Sequence, residues 1–227
     1  VSWARICVYE ISCIGAVEVD LIKDKIDVLV SGSQKAIMLP PGVAFVAYSD
    51  RAKDRFAEVT TPRFYLDLNK YLSSQEQNST PFTPNVALFR GVNAYVELVK
   101  HEGLNHVIKR HYSIRNALRT ALKSLDLELL VKDDSYASPT VTSFVPKDKE
   151  ELTYLKDQLK SRFNITIAGV QGHLKGHILR IGHMGKVSPF DILSVVSAIE
   201  ILLTESSNKN YIGKGNAQFM EVIKHES

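Results

Sequence analysis

Apolar residues fall in short, punctuated runs over the first third of the chain and in three- and four-residue rhythms beyond it. Arg5–Tyr9 is β-favouring, and Asp27–Ser31 is a compact apolar run that stops at Gly32, as a buried strand does. Pro40-Pro41-Gly42 breaks the chain before a third strand-like run, Val43–Ser49. Asp67–Ser74 predicts one short helix, and the polar stretch Ser73–Thr83 predicts a loop after it. Asn85 or a neighbour should cap a long helix in which Val86, Phe89, Val92, Val96 and Val99 recur at helical spacing. That helix should end at Gly103, with a second helix over Leu104–Leu125.

Shorter units then alternate. Leu127–Val131 and Thr140–Val145 predict strands, and Lys149–Phe163 an amphipathic helix. Asn164–Ala168 and His177–Gly182 predict two more strands, and Pro189–Leu203 a helix with proline in its first turn. A last helix is expected over Ala217–Lys224. The second half therefore reads as an α+β layer, with helices covering one face of a small sheet.

Composition narrows the class. Of 227 residues, 44% are hydrophobic and 23% charged, which excludes collagen, coiled coil and a disordered tail. Lys plus Arg is 28 against 25 for Asp plus Glu, an excess too small to call for nucleic acid or an anionic membrane. No run approaches the roughly 18 apolar residues that cross a bilayer. The longest candidate, Ile37–Tyr48, is interrupted by Pro40, Pro41 and Gly42. Cys7 and Cys13 are too few for a disulfide framework and suit core thiols in a reducing cytosol, so a cytoplasmic protein is expected. The N-terminus lacks an initiator Met and the pattern of a signal peptide, and the chain reads as starting partway through something longer.

The segment Ser31-Gly32-Ser33-Gln34-Lys35-Ala36 carries the chemistry. A lysine just past a buried strand, in a Gly- and Ser-rich turn, has its stem packed and its amine facing a pocket. Desolvation disfavours the ammonium, and such an amine can form a Schiff base with an aldehyde. The plainer alternative is a surface lysine in a loop. His173 and His177 are spaced like a metal pair, but no third ligand of the usual kind lies near, and a flexible loop is the expectation. His101, His106 and His111 are expected at the surface or at helix ends.

Gly15-Ala16-Val17-Glu18-Val19 followed by the run from Ile26 to Gly42 resembles the class V aminotransferases, pyridoxal-phosphate enzymes of fold type I. The likeness continues through Phe64–Asp67, Thr80–Pro84, Ser138–Thr142 and Leu179–Gly185, and is nearest to the serine/alanine–glyoxylate (serine–pyruvate) branch. The position before the lysine is Gln34, where cysteine desulfurases of the class carry His. The resemblance implies an α/β fold. Residues 1–102 would be the C-terminal part of the large cofactor-binding domain with a linking helix, and residues 103–227 a small α+β domain. It implies that Lys35 holds pyridoxal 5'-phosphate as a Schiff base and moves the α-proton. Gln34 would bind the cofactor phosphate, and Thr80 and Thr83 would reach the neighbouring subunit's phosphate in a homodimer. Arg180 would clamp the α-carboxylate of amino-acid and 2-oxo-acid substrates, since a guanidinium binds a carboxylate bidentately. An arginine in an apolar strand is otherwise held by a structural ion pair.

Two departures matter. Family members place an Asp on the pyridine nitrogen six residues before the glycine matching Gly15, and here that position is Tyr9. A phenol with a pKa of about 10 carries no charge there near neutral pH. Glu10 is adjacent but would point to the opposite face of a strand. The family lysine also lies near mid-chain, whereas only 34 residues precede Lys35, so the phosphate loop and the stacking aromatic have no counterpart; Trp3 is not cast in that role. Three readings follow: an aminotransferase acting on serine or alanine with glyoxylate or pyruvate, a truncated and impaired remnant, or one half of an enzyme completed by a separately encoded N-terminal half. Missing strands would leave open edges and apolar faces, and hence an oligomer or a partner-dependent chain.

Overall fold

The computed structural model describes residues 7–9 by backbone and residues 13–226 in full. Trp3, Arg5, Ile6 and Glu10, and the side chains of Cys7 and Tyr9, lie outside the described residues, so the expectations placed on them do too. The chain divides into two compact units, Val1–Ile14 with Glu18–His101 and Gly15–Val17 with Glu102–Ser227.

The first unit holds a three-stranded sheet of β1 (Cys7–Tyr9), β2 (Val28–Gly32) and β3 (Ala44–Tyr48), with β2 in the middle. β1 runs parallel to β2, Tyr9 opposite Val30, and β3 runs antiparallel, Phe45 opposite Ser31. A helix absent from the pattern reading, α1 (Asp50–Glu58), follows at once. Its start is set by Ser49, whose Oγ accepts from Ala52 N–H at 3.2 Å. Buried Asp27, at the foot of β2, ties that junction together: it accepts from Ser49 Oγ at 3.0 Å and from both Nε and Nη2 of Arg51. α2 (Leu68–Glu76) is capped by Asp67, which accepts from Asn69 N–H at 3.2 Å.

α3 (Val86–Glu102) starts where expected, with Asn85 Oδ1 accepting from Leu88 N–H at 3.2 Å. Its burial departs from expectation. Leu88 is the helix's one buried residue, while Val86, Phe89, Val96 and Leu98 are exposed. Cap and periodicity are enough to make the helix, but the described residues of this unit supply no apolar layer to receive its stripe.

The second unit is built on α4 (Leu104–Ser124). An antiparallel sheet of β4 (Glu128–Leu129), β5 (Val141–Val145) and β6 (Leu179–Gly182) has β5 in the centre, and α5 (Lys149–Phe163), α6 (Pro189–Ser206) and α7 (Lys214–Glu226) complete it. Ile114, Leu118 and Leu122 of α4, Phe144 of β5, Leu155 and Leu159 of α5, Ile199 and Leu202 of α6 and Phe219 of α7 form one core. α6 opens on a capping box, Ser188 and Asp191 each satisfying the other's backbone, with Pro189 in the first turn. α7 begins three residues earlier than the sequence pattern suggests. Buried Glu200 accepts from the backbone N–H groups of Gly213 (2.9 Å) and Asn216 (2.8 Å) and from Asn216 Nδ2 (2.9 Å), so a carboxylate of α6 caps α7.

The expected strand Asn164–Ala168 does not form. Asn164 takes the left-handed conformation that ends α5 (φ 55°), Ile165 N–H returns to Leu159 O at 2.9 Å, and a single bridge, Ala168 to Arg180, is what remains. Among the described residues, no helix is long and apolar enough to cross a membrane.

Candidate functional site

β2 delivers the chain into the turn that carries Lys35. Ser33, wholly buried, staples the loop at its base: its N–H donates to Val43 O at 3.0 Å and its Oγ to Pro40 O at 2.8 Å. The same Oγ accepts from Val43 N–H at 3.3 Å, and Leu39 N–H donates to Ser33 O at 2.9 Å. The Pro40-Pro41-Gly42 return is thus fastened to the segment that precedes the lysine. Inside the loop Met38 N–H bonds Lys35 O at 2.8 Å, and Met38 sits at φ 63°, a left-handed conformation that costs a side-chain-bearing residue about 1 kcal/mol. Lys35 stands half-buried at the crown, neither enclosed as the sequence reading supposed nor fully in solvent.

Gln34 is exposed, and its amide folds back over Gly32: a Cβ there would lie 2.5 Å from Gln34 Oε1. The Ser31 hydroxyl, four residues before the lysine, is buried with no hydrogen-bond partner. An orphaned buried hydroxyl near the end of β2, an exposed amide and a half-buried lysine are the donor set that a phosphorylated aldehyde would use. In that sense the residues present fit the pyridoxal phosphate that the motif implies.

Thr80 and Thr83 share a second loop of the same unit, both exposed. Thr80 Oγ1 donates to Phe82 O at 2.8 Å. Phe82, between the two threonines, sets its ring against Phe64 (5.4 Å), Tyr65 (4.9 Å) and Tyr71 (6.1 Å between centroids). This aromatic anchor escaped the sequence reading, although Phe64 and Tyr65 stand in a segment it quoted.

Arg180 belongs to the second unit, on the outward face of β6 between buried Leu179 and Ile181. Its backbone pairs with Ala168 in both directions and its Nε donates to Gly169 O at 2.9 Å. Among the described residues it makes no ion pair. Its terminal nitrogens face outward from a fixed root, the posture a carboxylate-binding guanidinium needs. His173 and His177 are exposed on the loop before β6, and no group of three His, Cys, Asp or Glu among the described residues is arranged to hold a metal.

His111 corrects the surface expectation: it is buried in mid-α4, as is His183 just beyond β6. Burial pushes the His183 imidazole down to about 4, and burial lowers His111 as well. A signal was available, since His111 lies four residues after Val107 and three before Ile114, on the buried stripe of α4.

Comparison with known proteins bears on the family and the fold. The family model for aminotransferase class-V matches residues 4–187. The chain is 42% identical over 221 residues to the soluble hydrogenase small subunit of Synechococcus sp., covering 97% of this chain and 57% of that protein. It is 26% identical over 223 residues to the serine–glyoxylate aminotransferase of Arabidopsis thaliana, covering 98% and 56% respectively. The crystal structure of pyridoxamine–pyruvate aminotransferase from Mesorhizobium loti superposes with a TM-score of 0.89 at 26% identity, over 97% of this chain and 57% of that one. The chain thus spans a little over half the length of these relatives.

Proposed function

The chain belongs to the class V aminotransferase family, and on that premise we propose that it is the Lys35-bearing part of an amino-group transferase acting on serine or alanine with glyoxylate or pyruvate. The observation that carries the reading is the stapled turn, in which Ser33 fastens the loop and presents Lys35 beside Gln34 and the unpaired Ser31 hydroxyl. On this reading the first unit is the C-terminal part of the cofactor-binding large domain and the second the small α+β domain. Bound there, pyridoxal phosphate supplies an electron sink for the negative charge that develops at the substrate α-carbon. Lys35 Nζ would hold the group and would be the base that takes and returns the substrate α-proton. Gln34 would donate to the cofactor phosphate, and Thr80 and Thr83 would donate to that of a second copy in a homodimer. Arg180 holds the substrate carboxylate through its outward nitrogens.

A second reading has a specific observation behind it. The exposed stripe of α3 suits a chain that works only with a further polypeptide laid against that face. Tyr9 in place of the ring-nitrogen Asp points the same way, towards weak chemistry in the chain alone.

The test is a pyridoxal-phosphate titration followed by borohydride reduction and peptide mapping. Label confined to Lys35, saturating at low cofactor concentration and lost in Lys35→Ala, is expected. Label scattered over surface lysines would overturn the first reading and leave the partner-dependent one.

A further inference from the structure

Two imidazoles of the second unit are shut away from water, and His111 is set as a neutral hydrogen-bonding group. His111 gives its Nδ1 proton to Val107 O at 2.7 Å and accepts at Nε2 from Gly185 N–H at 3.0 Å. A carbonyl at one nitrogen and an N–H at the other leave a single tautomer. Arg110 grips the same stretch, its Nη1 donating to Gly185 O at 2.7 Å and Val187 O at 3.3 Å, while Glu102 holds its Nε and Nη2 at 2.7 and 3.2 Å. His183 bonds Thr142 Oγ1 through Nε2 at 2.8 Å, and its backbone N–H donates to Thr140 O at 2.9 Å. The segment leaving β6 just after Arg180 is therefore held at both its N–H and its C=O groups.

We propose that His111 is a positioning residue: its neutral ring sets the path of the His183–Val187 segment, and through it the strand end that carries Arg180. The proposal deepens the functional reading, since it rests on Arg180 as the carboxylate clamp. Adding a proton to Nε2 of His111 would set two N–H groups against each other, so the clasp must open to take it up. The charged groups facing the pair act in opposite senses. Arg110 opposes a charge on His111 and Glu102 favours it, with Lys186 acting on Glu102 in turn. Arg115 and His111 oppose a charge on His183. Burial of both rings is the larger influence and keeps them neutral.

The experiment is amide hydrogen exchange at Gly185 in the whole chain, read by NMR from about pH 6 to about pH 5, with the intrinsic rate divided out. Opening exposes both imidazoles to water and lets them take up protons, so protection should fall as the pH is lowered in the wild type. In His111→Gln, which keeps an acceptor at the Nε2 position but cannot titrate, the fall should be shallower, by up to about tenfold per pH unit. The Arg180 Nε–H resonance should keep its place in His111→Gln and move in His111→Ala. Equal slopes in wild type and His111→Gln, or an unmoved Arg180 resonance in His111→Ala, would overturn the proposal. If His111→Ala does not fold, the two slopes decide alone. No cofactor enters the measurement, so a failure of Lys35 labelling and a failure of this clasp are told apart.

Discussion

Helices α3 and α4 are both amphipathic by sequence, yet one turns its stripe to solvent and the other closes a core. On α4, Val107, His111, Ile114, Leu118 and Leu122 are buried, with α7, α6 and the second sheet laid against the helix. On α3 the corresponding face keeps Phe89 50% and Val86 58% exposed. An apolar face forms a core only when a second layer is present to meet it. The second unit has its layers within residues 102–227, whereas the first has one sheet, short helices and little between them. Exposed aromatics such as Phe64 and Tyr65 belong to the same deficit.

The sharpest way to break this comparison is to cut into the core of the second unit. Phe144→Ala, wholly buried in the second core, should cost about 3–5 kcal/mol in urea unfolding. An unfolding midpoint unmoved by it would mean that core is not the one holding the unit.

Glu200→Ala comes next, at roughly 3 kcal/mol, because it strips a buried carboxylate from three donors and leaves α7 uncapped. Glu200→Gln should recover part of the loss, and full stability in the Ala variant would show that α7 docks by its apolar face alone.

Acid should distinguish the units. His183 has a folded pKa near 4 against 6.5 for a free imidazole, so the unfolded chain binds more protons and stability is lost as pH falls from about 6.5 towards about 4. The loss should reach roughly 2–3 kcal/mol and be confined to the second unit, because the first has no buried histidine among its described residues. Exchange monitored unit by unit checks this, and an equal acid response in both would contradict it.

Phe82→Ala removes the ring that anchors the Thr80–Thr83 loop and should weaken protection of that loop by about 1 kcal/mol, leaving α4 untouched. Phe89→Ser should be the mildest, within about 0.5 kcal/mol, since half the ring already faces water. A cost near that of Phe144→Ala would show that α3 has a covering layer in solution.

Local signals made much of the fold legible. Asp148 before Lys149 and Asn164 after Phe163 bracket α5 to the residue, and Asn85 starts α3. α1 was missed because its apolar content is slight, Ala52 and Phe56, even though Ser49-Asp50 is a good start signal. The Ile165–Ile167 alternation imitates a strand but finds one bridge instead of a ladder, since strand pairing depends on a partner the local pattern does not contain. In the candidate site the lysine turn was readable as a motif. The staple from Ser33 to Pro40 and Val43, the orphaned Ser31 hydroxyl and the Phe82 anchor were not, because each depends on where a side chain ends up.

By itself, the order of residues determined the helices with caps, the strand that ends at Gly32, the lysine behind it and the membership of a family. All of these are written in neighbours a few positions apart, where backbone propensity and capping act. Tertiary structure alone decided which amphipathic faces are covered, that Glu200 caps a helix 13 residues on, and that His111 meets Gly185 across 74 residues. Burial and long-range hydrogen bonding depend on what the rest of the chain brings to the same place, and no local pattern encodes that.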